Sequence, residues 1–453
     1  MDDLECLQVH VLKDSIKTIQ LFDIVRFASE WIGCKIFKTC WSFEGLIGVV
    51  KICTIFYRIC MNKAKTILIA VSTVLLFTTS ANACLAACKE KKRDEAYSKP
   101  LSAATLQTVI DKALPLKAVD PELGEPYQVY PIDVKPYDKV FHSTLIEYPF
   151  GSSPRAVTHE PNLRGIILYV HGYNDYYFQK ELAEKSDSAG FAFFAIDLHN
   201  SGRSYREGDA RADMRSVKEH YAELDAAVAL SKKIASNGSE AKLPFVILGH
   251  SQGGLITPNY LNERNSEDFA ALVLNSPFLD YKNSWFVRNV AFPVFSDIAL
   301  LFPDMAAPKQ ESPKYNISLL KSEKGEWEFN RELKSDDWPQ QYFGYLRATE
   351  RGIKWIHSGM QIKAPVLVMR SGCTIDKVKW DDDYMRCDCM LDVKLIEKWA
   401  PKLGGDVTTV TITDGMHDLF LSRKDVRDNA YRTMFEFLDG AVLRKQIVVA
   451  WNY

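Results

Sequence analysis

Pro244-Phe-Val-Ile-Leu248-Gly249-His250-Ser251-Gln252-Gly253-Gly254 decides how this chain is read. A short apolar run without charge enters G-x-S-x-G, and a helix-forming segment follows. The run predicts a buried strand. The pentapeptide predicts a strand-to-helix turn so tight that side chains flanking Ser251 would collide with strand or helix. Such a turn pushes the hydroxyl outward and points the dipole of the following helix at it. Ser251 is the candidate nucleophile.

Outward from this turn, the same apolar runs recur. Val140 to Tyr148 has strand character, as do Gly165 to Val170, Ala192 to Ile196, Ala271 to Leu274, Pro365 to Met369 and Val407 to Ile412. Strands covered by helices on both faces of a parallel sheet have this composition. Helix-period apolar positions lie between them, in Met214 to Ala235, Lys394 to Leu403 and Val426 to Leu438. The alternation predicts an α/β fold, a mostly parallel, doubly wound sheet with right-handed crossovers. Chemistry in such a sheet gathers beyond the carboxyl ends of the strands.

A serine nucleophile needs a base, and the base needs an orienting acid. With this elbow the chain order is Ser, acid, His. Thr413-Asp-Gly-Met-His417 follows the last strand, so His417 is the candidate base. The acid should lie between the strand ending at Met369 and the helix before the His strand. One helix, one strand and short loops separate acid from base by roughly 30 residues. Asp388 lies 29 residues before His417 and Asp376 lies 41 before it, which favours Asp388. Asp392 is placed to cap the helix, though it and Asp376 stay as alternatives. For the oxyanion, backbone N–H groups are expected from Gln252, after the nucleophile, and from Tyr173 in the loop His171-Gly172-Tyr173.

His171-Gly172-Tyr173, Asp197-Leu-His-Asn-Ser-Gly-Arg203-Ser204 and Gly249-His-Ser-Gln-Gly253-Gly254 together resemble the serine aminopeptidase S33 branch of α/β-hydrolases. That branch includes monoacylglycerol lipases and lysophospholipases. Asp388-x-x-Leu391-Asp392-Val393 and His417-Asp418-Leu419 look like the acid and histidine motifs of its bacterial members. Many members place the acid three or four residues after the strand, whereas Asp388 lies beyond a long Ser371 to Arg386 insertion. The resemblance implies an α/β-hydrolase fold over about residues 130 to 440. It also implies that the segment between Pro277 and Pro365 is a cap. That segment carries Phe278, Tyr281, Trp285, Phe286, Phe292, Phe295, Phe302, Trp327, Phe329, Trp338, Tyr342, Phe343, Tyr345 and Trp355. Most of these should pack the cap on the core, and apolar surface left facing the serine would hold an acyl chain.

The first ninety residues read as leader. Met61-Asn-Lys-Ala-Lys65 opens a charged region, Thr66 to Ala87 is 22 residues without charge, and Ser80-Ala-Asn-Ala83 suits a cleavage site. This is the pattern of a secretory signal. Leu85-Ala-Ala-Cys88 resembles the lipobox of bacterial lipoproteins, and the uncharged run is also just long enough to span a membrane. The expected organisation is an upstream extension at 1–60, read as lying before a true start at Met61, and a signal or anchor at 61–88. A tether and N-terminal segment at 89–129, a core at 130–277 and 361–440, and a cap at 278–360 complete it.

Ten cysteines include only three beyond residue 88, namely Cys373, Cys387 and Cys389, and no C-x-x-C pair occurs. No structural metal is expected. In an oxidising compartment Cys373 can bridge Cys387 or Cys389 and clamp the loop that carries Asp388. Lys plus Arg total 56 against 58 Asp plus Glu, a net charge of −2, which leaves no basic excess for nucleic acid. Hydrophobic residues at 47% suffice for a core.

The expected protein is thus an exported serine hydrolase of the cell envelope or periplasm, associated with the membrane through its N-terminus. It acts on carboxylic esters of hydrophobic acyl groups, needing neither metal nor cofactor. The resemblance favours lysophospholipid-like or monoacylglycerol-like substrates. A peptidase of the same branch is the alternative among enzymes. A catalytically inactive envelope-bound binding protein is the alternative outside them.

Overall fold

Alternate residues of each central strand face opposite layers of core, and this builds the fold. Ile166, Leu168 and Val170 join one buried cluster, while Ile167 and Tyr169 join the other. The computed structural model describes residues 82–153, 162–236, 242–284, 287–288, 292–309, 314–377 and 379–451. The expected upstream extension and nearly all of the signal or anchor segment lie outside these. Residues 82–98 are helical, and by its internal contacts the chain divides into Met1–Arg93 and Asp94–Tyr453. Among the described residues, no helix is long and apolar enough to cross a membrane.

Nine strands form one sheet: β1 (Ala118–Val119), β2 (Gln128–Val134), β3 (Phe141–Tyr148), β4 (Gly165–Val170), β5 (Phe191–Asp197), β6 (Phe245–His250), β7 (Ala271–Asn275), β8 (Val366–Ser371) and β9 (Val407–Ile412). Their order is β1-β2-β3-β5-β4-β6-β7-β8-β9. The pairs β1–β2, β2–β3 and β3–β5 are antiparallel, and all others are parallel. Every residue of β4, β5, β6 and β7 is buried, as expected where helices cover both faces. At the edge, β9 is Thr-rich and half open.

On one face lie α1 (Ala103–Ala113), α3 (Tyr221–Ser236), α4 (Gly253–Glu263) and α7 (Phe343–His357). On the other lie α2 (Lys180–Ser188) and α9 (Lys424–Trp451), which packs through Val426, Ala430, Met434 and Leu438. The segment between β7 and β8 contributes α5 (Phe292–Leu301), α6 (Tyr315–Leu319) and α7, and α8 (Val393–Trp399) joins β8 to β9.

Around residue 130 the structure shows elements that the sequence reading did not name. The stretch 89–129, read as tether and N-terminal segment, carries α1, β1 and the first residues of β2. Ser102 caps α1 by accepting from the Thr105 N–H at 3.1 Å. Pro131 disguised β2. It is tolerated because the short β1 pairs only with Gln128 and Val129, so the missing N–H at Pro131 interrupts no β1–β2 pair.

Candidate active site

Ser251 sits between β6 and α4 with φ of 51°, in the left-handed region. The glycines around it are required by contact. A methyl group on Gly253 would lie 2.7 Å from the His171 carbonyl oxygen, and one on Gly249 would lie 2.7 Å from the Gly253 carbonyl oxygen. Strand and helix therefore approach as closely as backbone allows. The turn is pinned by the Ser251 N–H, which donates to the Asn275 carbonyl at 3.2 Å, and by the Phe278 N–H, which donates to the Ser251 carbonyl at 2.9 Å.

His417, five residues past β9, brings its Nε2 to 3.0 Å from Ser251 Oγ. Its Nδ1 lies 2.9 Å from Asp388 Oδ2. Donation of Nδ1–H to the carboxylate leaves Nε2 as an acceptor for the serine hydroxyl, the arrangement a general base needs. Both side chains are shielded, at 4% and 0% exposure. The other Asp388 oxygen accepts from the N–H groups of Met390 and Leu391, each at 2.8 Å, which fixes the carboxylate plane. Asp376 points away, 95% exposed and 3.3 Å from Lys282 Nζ. Asp392 caps α8 by accepting from the Lys394 N–H at 3.0 Å.

The long loop before Asp388 is closed on itself. Cys373 and Cys387 form a disulfide, and Cys389 is a buried free thiol. The Asp388 N–H donates to the Cys373 carbonyl, and the Ile375 N–H donates to the Asp388 carbonyl, each at 2.9 Å. The disulfide and this ladder bring the acid back to the sheet despite the inserted residues.

Beyond β4, the loop His171 to Asp175 lies against Ser251. A methyl group on Gly172 would be 3.1 Å from Ser251 Cβ, so the lack of a side chain lets the backbone at Gly172 pass this close. His171 Nε2 accepts from the Leu198 N–H at 3.0 Å, which leaves Nδ1–H to donate to the Gly172 carbonyl at 2.7 Å. Gln252 immediately precedes α4. Tyr173 follows Gly172 in this loop, and Gln252 follows Ser251 in the turn.

Several site residues had no sequence signal. Asn275 links the Ser251 turn to the loop that carries His417. Its side chain donates to Asp418 Oδ1 at 2.7 Å and accepts from the Leu419 N–H at 3.2 Å. Gln179 donates to Asp418 Oδ2 at 3.2 Å. His250 is buried beside His417, 4.9 Å between ring centroids, and burial holds its imidazole below the usual histidine range. The segment between β7 and β8 reaches the site through Tyr315, whose hydroxyl accepts from the Asp418 N–H at 3.0 Å. Of the aromatics in that segment, Trp285 and Phe286 lie outside the described residues. Phe295 packs on Phe343, and Trp327 donates to the Leu421 carbonyl, so these serve packing.

Among the described residues, one cluster has donor atoms that suit a metal: His199, His220 and Glu223, all buried, with ligand atoms within 4.8 Å of one another. The two imidazoles bond through Nδ1 to the same Glu223 oxygen, at 2.8 and 2.5 Å. Their rings are stacked, 4.5 Å between centroids. Glu223 thus holds both Nδ1 atoms, while the Nε2 atom of each imidazole is buried without a hydrogen-bond partner.

Comparison with known proteins places these features in context. The family described as serine aminopeptidase, S33, matches residues 161–420, more than half of the chain. Phospholipase YtpA of Bacillus subtilis is 30% identical over 115 residues, which are 25% of this chain and 40% of that protein. A soluble variant of monoglyceride lipase from Saccharomyces cerevisiae, solved with a substrate analog, shares the fold with a TM-score of 0.50 at 14% identity. That match covers 72% of this chain and 96% of the lipase.

Proposed function

Because this chain belongs to the serine aminopeptidase S33 family of α/β-hydrolases, we propose that it is a serine hydrolase cleaving carboxylic esters of hydrophobic acyl groups. The observation that carries this reading is the continuous chain Ser251 Oγ to His417 Nε2 at 3.0 Å and His417 Nδ1 to Asp388 Oδ2 at 2.9 Å. Ser251 Oγ attacks the carbonyl carbon as its proton passes to His417 Nε2. Asp388 stabilises the imidazolium and holds its orientation. The N–H groups of Tyr173 and Gln252 receive the oxyanion. Collapse breaks the bond to the alcohol oxygen, which takes the proton from His417. Water, activated by the same imidazole, then releases the carboxylic acid and frees Ser251.

The aromatic segment over the site favours an acyl chain, and similarity to a phospholipase supports a lipid ester. We place the protein outside the cytoplasm, held at the envelope through its N-terminus. The charged-then-apolar pattern at 61–88 supports this, as does the Cys373–Cys387 disulfide, which suits an oxidising compartment.

A fluorophosphonate probe should label the protein, and Ser251→Ala should abolish labelling. Hydrolysis of p-nitrophenyl acyl esters, with rate rising with chain length, is the expected activity. Turnover of aminoacyl-p-nitroanilides with no ester activity would make it a peptidase instead. Folded protein that neither labels nor turns over either substrate would be a binding protein.

A further inference from the structure

We infer that Tyr345, in the segment between β7 and β8, is a positioning residue that holds both oxyanion donors in register. The inference rests on the hydrolase reading above and adds a residue that its chemistry does not name. Tyr345 lies in the first turn of α7 and is buried. Its hydroxyl donates to Gln252 Oε1 at 2.7 Å. Its ring packs on that of Tyr173, 5.1 Å between centroids. One side chain therefore touches both residues assigned above as oxyanion donors, although they come from different strand ends.

The neighbouring chain completes the grip. Trp338 meets the Tyr173 ring edge-on at 6.2 Å. Asn174, with φ of 49°, donates to the Ser335 carbonyl at 2.9 Å. Lys334 Nζ lies 2.6 Å from Asp175 Oδ1, with side chains only 8% and 3% exposed. Three successive residues of the oxyanion loop are thus fixed from the inserted segment, and Tyr345 extends that hold to the nucleophile turn.

Such an arrangement matters because an oxyanion hole acts by preorganisation. Its donors must already be at hydrogen-bond distance from the position where charge develops, and a displacement of about 1 Å costs about 100-fold. Tyr345 stays protonated, since burial and then the neighbouring Tyr173 push its phenol well above the usual tyrosine range. Its contribution is therefore uniform across the working pH range. That separates it from any residue acting through His417.

The test uses the full chain with a p-nitrophenyl acyl ester, an alkyl boronic acid as tetrahedral mimic and a fatty acid as ground-state ligand. Tyr345→Phe, which removes only the hydroxyl, should lower kcat about tenfold with KM within about twofold. Boronate affinity should weaken by the same factor while fatty-acid affinity holds, and the loss should be equal at every pH. Gln252→Leu, which keeps the N–H but deletes the acceptor, should give the same loss. Combining the two should add less than about twofold. If Tyr345→Phe does not fold, as judged by its melting temperature, Gln252→Leu carries the same kcat criterion from the other side of the bond. Unchanged kcat in an active wild-type background, or additive losses in the double variant, overturns the inference alone. A wild type without labelling or turnover overturns it together with the hydrolase reading.

Discussion

The carboxamide of Asn275 donates to Asp418 Oδ1 at 2.7 Å, and so ties the end of β7 to the residue after His417. The main-chain oxygen of Asn275 also accepts from the Ser251 N–H at 3.2 Å. A single fully buried residue thereby ties the turn at Ser251 to the loop that carries His417. Asn275→Leu leaves the buried Leu419 N–H without its acceptor and Asp418 Oδ1 with only the Phe420 N–H. It should destabilise the fold by about 2–3 kcal/mol in urea denaturation. The freed histidine loop should lower kcat more than about tenfold, read by ester hydrolysis.

Two glycine substitutions should separate activity from stability. Gly172→Ala sets a methyl group 3.1 Å from Ser251 Cβ, a contact relieved by a small shift of the oxyanion loop. Its melting temperature should change little while kcat falls. At Gly253 the methyl group meets backbone carbonyl oxygens of Val170 and His171, which cannot yield. Gly253→Ala should therefore lower the melting temperature sharply or prevent soluble expression.

Reduction of the Cys373–Cys387 disulfide should loosen the loop carrying Asp388. The bond closes a loop with a sequence separation of 14. In the chain-entropy model that contributes about 3 kcal/mol. A dithiol reductant should lower kcat of the wild type and leave Cys373→Ser, already slow, unaffected. Buried Cys389 should not substitute as an exchange partner, because burial and then the nearby Asp388 push its thiol well above the reactive range. A wild type indifferent to complete reduction, confirmed by peptide mass spectrometry, contradicts this.

Acid stability should depend on His220 and Glu223. Burial, then the adjacent His199, lowers His220 to about 4. Burial alone would raise Glu223, but His199 first and then His220 pull it to about 2. Both groups bind fewer protons in the native state. Their stabilisation is complete above the ordinary histidine value and is lost as pH falls, first through His220 and then through Glu223. His199 has the opposite sign. Burial opposes its charge, Glu223 raises it, and its stabilisation fades as pH climbs past the ordinary value. Unfolding free energy should drop from pH 6.5 towards pH 4, and His220→Gln should flatten that limb by up to about 1.4 kcal/mol per pH unit. An unchanged slope would show that other groups govern acid unfolding.

How much could be read beforehand differs from element to element. The limits of β4 and β9 coincide with the sequence reading, because their runs of apolar or β-branched residues start and stop abruptly. Where β2 interleaves Pro131 and Asp133 with buried residues, no such run exists and the strand was not legible. The pairing of Asp388 with His417 was reachable by spacing, since one helix and one strand fit between them.

The chain alone determined the strand–helix alternation, the turn at Ser251 and the glycines it requires. Each of these is a property of neighbours in sequence, where periodicity and backbone conformation act over a few residues. Only the folded molecule decided that Asn275 meets Asp418 across 143 residues, that Lys334 meets Asp175 across 159, and that Tyr345 meets Gln252 across 93. Such pairs carry no local pattern. They form because packing two faces of one sheet brings distant polar groups into a water-poor space, where each must find a partner or destabilise the fold.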